Sequence, residues 1–168
     1  MGKRCARPHR SGCRTGNGSC LIVNDSQEYS LPKALAEIQE DFLSLGASDR
    51  LQMLLEFSES LPEVPDGIVP DDAWEQVVEC QSPVFIHVDS DQGLPVIYAT
   101  APEQAPTTRG FASILVHGLA GSTREAILAV PGNFPQSLGL NDAVSLLRLR
   151  GMAGMLARIQ RQVTEAHS

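Results

Sequence analysis

The order in which hydrophobic periodicities follow one another is the feature that most constrains the fold of this chain. Helical steps of three and four come first, and alternating runs rich in Val, Phe and Ile follow. Helical steps then return up to the C-terminal end. The pattern predicts helices over 31–45 and 48–61 (with Ser48 as N-cap), strands over 74–79, 84–89 and 94–99, and helices over 108–119, 122–130 and 141–166.

Strands that are grouped together and flanked by helices indicate an α+β fold. Turn residues over 90–93 favour an antiparallel hairpin between the last two strands. A length of 168 residues, 42% of them apolar, is typical of one domain with a sizeable core. We therefore expect helices packed on a small three-stranded antiparallel sheet. The proline-rich, acidic stretch 62–72 is predicted to be an exposed connector.

Charge is distributed unevenly along the chain and excludes several functions. Residues 1–20 carry five basic side chains and no acid, whereas residues 21–103 carry 17 acids against Lys33 and Arg50. An acidic body repels phosphate backbones, so no nucleic-acid partner is expected. No apolar run reaches the ~18 residues that a membrane helix needs, so no membrane association is expected either.

The N-terminal segment is poor in aliphatic residues, and we expect residues 1–26 to be a basic, disordered extension of a domain over 27–168. It lacks the apolar stretch of a secretory signal, which predicts a cytoplasmic protein with reduced cysteines. Three of the four cysteines lie in this segment, and their spacing contains no CxxC pair. We therefore assign no metal site to them.

Cys80 is the one cysteine in the part of the chain that should fold, and it stands where a strand ends. A lone cysteine is commonly an inert, buried residue, but a loop thiol can react with a partner. A reactive sulfur must be a thiolate, which nearby donors and positive charges favour. Gln81 and Ser82 are adjacent, and Arg109 and Arg148 stand near predicted helix starts.

No catalytic base accompanies this cysteine in the sequence. His87 alternates with apolar residues on a strand, and His117 lies late in a helix, so both are interpreted as structural. Glycine motifs for nucleotide phosphates are also missing. These observations favour simple thiol chemistry over hydrolysis or nucleotide chemistry.

Three segments together carry a resemblance to a known family. They are Glu79-Cys80-Gln81-Ser82-Pro83-Val84-Phe85, Thr108-Arg109-Gly110-Phe111-Ala112 and Leu147-Arg148-Leu149-Arg150-Gly151-Met152. In this order and at this separation they resemble the SufE family of sulfur acceptor proteins, over about residues 30–167. The resemblance implies a fold shared with IscU-type scaffolds.

The resemblance also implies a function in iron-sulfur cluster assembly. Cys80 would accept a persulfide from a SufS-type cysteine desulfurase, speed its turnover, and pass the sulfur to a SufBCD-type scaffold. Such a chain needs no cofactor, because pyridoxal phosphate belongs to the desulfurase, and it acts as a transpersulfuration partner rather than as a stand-alone enzyme. Arg109, Arg148, Gln81 and Ser82 would shape the site around the sulfur. Glu79 departs from the family, where a small residue is usual, and is expected to raise the pKa of the thiol.

Two alternatives remain open from the residues. An IscU-like iron-sulfur scaffold would need three ligand cysteines in the folded body, which holds Cys80 alone. A non-catalytic interaction module would use Cys80 only for packing. The oligomeric state is also open between monomer and homodimer.

Overall fold

A computed structural model describes residues 30–90 and 93–166 of the chain. The predicted extension over 1–26 and the middle of the predicted turn over 90–93 lie outside the described residues. The described elements form an α+β fold in which helices pack on a three-stranded antiparallel sheet, as the sequence predicts. Their bounds are α1 Lys33–Ser44, α2 Ala47–Glu59, β1 Glu75–Gln76, β2 Phe85–Asp89, β3 Val96–Thr100, α3 Pro106–Leu119, α4 Arg124–Leu128, α5 Phe134–Ser137 and α6 Leu146–Glu165.

The sheet has the order β1-β2-β3, and both pairings are antiparallel. Its residues alternate between its two faces: Ile86 and Val88 of β2 are buried against the helices, and Phe85 and His87 on the other face are half-buried. The first strand is shorter than predicted, because the chain turns directly after it. The Val77 amide still donates to the Val84 carbonyl (2.9 Å), but the Cys80 amide donates back to the Val77 carbonyl (3.1 Å).

Helix boundaries differ from the sequence predictions where local capping decides them. The predicted N-cap at Ser48 is wrong, since α2 begins at Ala47 after the extended residue Gly46. The last helix begins at Leu146 and not at 141, because the Ser145 hydroxyl accepts a hydrogen bond from the Arg148 amide (3.4 Å). The short helix α5 was not predicted.

Helix α3 lies at the centre of the core and contacts α1, α2, α6 and β3. Its apolar residues Phe111, Ile114 and Leu115 are at most 1% exposed. Gly110 lets α2 approach closely, since a Cβ there would overlap the Leu54 carbonyl. The 62–72 connector is mostly exposed, as predicted, with Val69 buried as an anchor.

The described part of the chain contains neither a helix suited to cross a membrane nor a cluster of metal-ligating side chains. Within residues 30–90 and 93–166, none of the helices combines the length and apolar character that a membrane crossing requires. The same residues contain no group of three or more His, Cys, Asp or Glu side chains placed to hold a metal ion.

Candidate functional site

The turn between β1 and β2, residues 77–82, carries the cysteine that the sequence singled out. Cys80 lies in this turn, where it is half-buried and packs against the edge of the hydrophobic core. The prediction that this thiol stands on a loop at a strand end is confirmed. Its position is fixed on one side by the backbone hydrogen bond to Val77 and on the other by contact with α6.

A cavity of about 130 Å³ opens beside Cys80. Three parts of the chain enclose it: the turn itself, the segment that leads into α3, and the first turns of α6. Of the residues singled out in the sequence, Cys80, Gln81, Ser82 and Arg148 line it together. The remaining lining residues are Glu79, Gln104, Ala105, Pro106, Thr107, Thr108, Leu147, Gly151, Met152 and Met155.

Two glycines on α6 allow the turn to lie directly against the helix backbone. A Cβ atom at Gly151 would lie 2.9 Å from the Cys80 Sγ atom, which is closer than real side chains pack. A Cβ atom at Gly154, one turn later, would lie 3.0 Å from the Glu79 Oε2 atom. Glycine inside a helix costs ~1 kcal/mol of helix stability relative to alanine. At these two positions that cost accompanies the close approach of the Cys80 turn to the α6 backbone. We call residues 151 and 154 the glycine seat.

An ion pair fastens the turn to the same helix. The Glu79 carboxylate lies 2.7 Å from the Arg158 Nη1 atom, and the Arg158 side chain is only 13% exposed. Arg158 also lies 3.3 Å from the Glu75 carboxylate and donates to the carbonyls of Gln76 (3.1 Å) and Gly154 (3.2 Å). Arg158 therefore connects α6, β1 and the turn that carries the thiol.

These surroundings disfavour the thiolate form of Cys80. Burial, followed by the negative charge of Glu79, raises the pKa of Cys80 from 9.0 to about 11, and the positive charge of Arg158 opposes part of this increase. The expected effect of Glu79 on the thiol is thus confirmed in direction. The thiolate of the free protein is therefore a minor species at neutral pH.

The two predicted arginines have different surroundings. Arg148 is exposed in the first turn of α6 and lines the cavity. Arg109 is not among the lining residues; its Nε donates to the Ser58 carbonyl (2.8 Å) and its Nη1 to the Ala101 carbonyl (2.7 Å). These bonds join the end of α2 to the end of β3. The contribution of Arg109 to the thiol stays a prediction, and the contacts described here are structural.

The histidines stand apart from the cavity, as expected. The His87 Nδ1 lies 3.2 Å from the Ala73 carbonyl, and its ring is stacked with Tyr98. The His117 Nε2 lies 2.9 Å from the Ser60 carbonyl. Neither residue lines the space beside Cys80.

Sequence reasoning assigned no role to Arg158 or to the glycine seat. The spacing of Gly151 and Gly154, three residues apart inside a helix, was the signal that could have found the seat. No comparable signal pointed to Arg158, because its partner Glu79 lies 79 positions earlier in the chain.

The chain is similar to known proteins over most of its length. The family model described as "SufE: Fe-S metabolism associated domain" matches residues 36–163. An uncharacterised SufE-like protein of Mycobacterium tuberculosis is 51% identical over 138 residues, covering 82% of this chain and 96% of that protein. The cysteine desulfuration protein SufE of Plasmodium vivax is 30% identical over 147 residues, which cover 85% of this chain and 58% of that protein.

A solved structure shows the same fold. The solution structure of a hypothetical protein from Thermus thermophilus superposes with a TM-score of 0.73 at 39% identity, covering 82% of this chain and 98% of that one. The matched family segment contains the turn, the glycine seat and Arg148. The chain therefore belongs to the SufE family.

Proposed function

We propose that this protein is a sulfur acceptor and activator for a SufS-type cysteine desulfurase, and that Cys80 carries the sulfur as a persulfide for iron-sulfur cluster assembly. The observation that carries the proposal is the half-buried Cys80 thiol beside a cavity lined by Gln81, Ser82 and Arg148. Family membership supports it, as do the Plasmodium relatives that are named cysteine desulfuration proteins. A cytoplasmic SufBCD-type scaffold is the proposed next acceptor.

The proposed transfer needs one nucleophilic sulfur and no outside oxidant. The Cys80 thiol first gives up its proton, and its thiolate then attacks the outer sulfur of a persulfide on the desulfurase cysteine. A bond forms between the Cys80 Sγ and this outer sulfur. The sulfur-sulfur bond on the desulfurase breaks, and its electron pair leaves on the desulfurase cysteine as a thiolate. The oxidation level of the transferred sulfur is unchanged.

The cavity suits the product of this transfer. Its volume of about 130 Å³ exceeds the space that one additional sulfur atom occupies, which is comparable to the ~30 Å³ share of a water molecule in the liquid. Arg148 at its wall offers a positive charge to an anionic persulfide. The cavity walls shield the outer sulfur of the Cys80 persulfide from reductants. The pyridoxal phosphate that releases sulfur from cysteine belongs to the partner desulfurase.

Incubation with a cysteine desulfurase and cysteine tests the proposal directly. We expect the mass of one sulfur atom to be added to the tryptic peptide 51–109, which contains Cys80 and none of the other three cysteines. Cys80→Ser should abolish this addition and the stimulation of the desulfurase while still binding it, and Cys20→Ser is the matched control. Sulfur found only on Cys5, Cys13 or Cys20 contradicts the proposal. Full stimulation by Cys80→Ser favours a non-catalytic interaction module.

A further inference from the structure

We infer that Glu79 and Arg158 form a latch, which seats the Cys80 turn on α6 and restrains the reactivity of the thiol until a partner separates the two side chains. Both residues are positioning residues, because they act through the turn and not on the transferred sulfur. The biological role of the latch rests on the proposed function, but its existence is a property of the isolated protein.

The two halves of the latch are held with unequal firmness. Arg158 is 13% exposed and is bonded to Glu75 and to the carbonyls of Gln76 and Gly154, so it stays in place without Glu79. Glu79 is 43% exposed, and Arg158 is the partner described for its carboxylate. Opening the latch therefore means moving Glu79, while the rest of the network on α6 and β1 persists.

Packing connects the movement of Glu79 to Cys80. The Glu79 side chain lies over Gly154, and the Cys80 sulfur lies over Gly151, one helical turn away. The Glu79 carbonyl also lies against Gly151 and the Glu79 Cβ against Gly154, so a shift of Glu79 that includes its backbone loosens the contact of Cys80 with Gly151. The glycine seat thus transmits the state of the ion pair to the reactive sulfur.

The movement of Glu79 also changes the charge around the Cys80 thiol in the direction that makes it more reactive. The charged groups near the thiol are Glu79 on its own turn, Arg158 on α6 with its second partner Glu75 on β1, and Arg148 at the cavity wall. The start of α3 adds only the neutral side chains Thr107 and Thr108. When Glu79 leaves, the carboxylate that disfavours the thiolate is removed, while Arg158 stays beside the turn through its contacts with Glu75 and the Gln76 and Gly154 carbonyls. A partner that offers a basic side chain to Glu79 would therefore free the sulfur and activate it in one step.

The test measures the pH dependence of alkylation by iodoacetamide, read on peptide 51–109 of the intact protein by mass spectrometry. Glu79→Gln should lower the pH midpoint by about 0.5–1 unit and raise the rate at pH 8 by roughly three- to tenfold. In an Arg158→Gln background, where Glu79 is free to turn towards water, the shift caused by Glu79→Gln should fall by at least half. Arg161→Gln, which removes a neighbouring arginine paired with Glu75 and Glu165, is the matched control and should leave the midpoint unchanged.

A Glu79→Gln shift of equal size with and without Arg158 overturns the latch, and so does the absence of any shift. If Arg158→Gln does not fold, Arg158→Lys replaces it, and the full Glu79→Gln shift should be retained in that background. Alkylation needs no desulfurase, so the two proposals fail separately. If the Glu79→Gln shift depends on Arg158 but Cys80 accepts no sulfur from the desulfurase, the proposed function is rejected and the latch stands. If Cys80 accepts sulfur but the shift does not depend on Arg158, the latch is rejected and the proposed function stands.

Discussion

The contact between Gly151 and Cys80 gives a prediction whose size follows from the structure. In Gly151→Ala the new Cβ would lie 2.9 Å from the Cys80 Sγ, 3.5 Å from the Glu79 carbonyl and 3.6 Å from the Cys80 Cα. Carbon atoms pack at about 3.5–4.0 Å, and sulfur is larger, so the sulfur must move away by roughly 1 Å. The α6 backbone is fixed by the core, and the turn is therefore the part that moves.

Two opposing contributions determine the stability of this variant. Overpacking costs typically about 1–3 kcal/mol, and replacing a helical glycine by alanine returns about 1 kcal/mol. We expect a net loss of about 0–2 kcal/mol in the free energy of unfolding. The variant should fold, with a Tm lowered by no more than roughly 8 °C.

Thiol reactivity should change more than stability. Burial is the largest cause of the pKa increase from 9.0 to about 11, and a sulfur pushed outwards regains water. Recovery of about half of that increase moves the pKa down by roughly one unit, which raises the thiolate fraction at pH 7.5 about tenfold. The loaded persulfide should also be lost faster to a small thiol reductant, because its shelter is opened.

The assay follows alkylation of peptide 51–109 against pH, together with thermal unfolding and the lifetime of the loaded persulfide. Gly132→Ala is the matched control, since a Cβ there meets nothing within 4 Å. A folded Gly151→Ala protein with the wild-type alkylation midpoint would show that the seat does not hold the sulfur, and the reasoning would be refuted.

Three further predictions concern stability. Arg109→Met leaves the Ser58 and Ala101 carbonyls without their charged donor, so chemical denaturation should show a loss of about 2–4 kcal/mol with an unchanged thiol titration; a shifted titration at normal stability would contradict this. Gly110→Ala forces α3 away from α2 and should cost more than about 3 kcal/mol, which a thermal scan near the wild-type Tm would disprove. The pKa of Cys80 is higher in the folded chain, so the stabilising contribution of this residue is complete below pH 9.0 and is lost as the pH rises towards about 11. Unfolding measured against pH should therefore show the wild type losing stability relative to Cys80→Ser in that window. Parallel stability curves for the two proteins would contradict this prediction.

Features that depend on near neighbours in sequence were predicted well. The α+β class, the three strands and the position of Cys80 at a strand end follow from periodicity and turn residues within a few positions. Errors are concentrated at element ends, such as Ser48 and the start of α6, where several capping residues compete. The Ser145 cap moved the helix start by five residues from the prediction.

The environment of the thiol required the tertiary structure. The sequence identified Cys80, Gln81, Ser82 and Arg148 as candidates, and the structure brings these four to one cavity. In the structure Arg109 instead donates to backbone carbonyls away from the cavity, although Arg109 and Arg148 both lie near the start of a helix. A helix start fixes where a side chain begins, but the packing of the helix decides what that side chain contacts.

The sequence by itself determined the longer helices and the three strands, their order, and the place of Cys80 at a strand end, because these depend on local propensity and on the alternation of apolar and polar residues. Only the tertiary structure decided that Glu79 meets Arg158, that Cys80 rests on Gly151, and that burial is the largest cause of the raised pKa of the Cys80 thiol. These contacts join residues more than 70 positions apart. Their geometry is set by the close packing of the turn on α6, which no local pattern encodes.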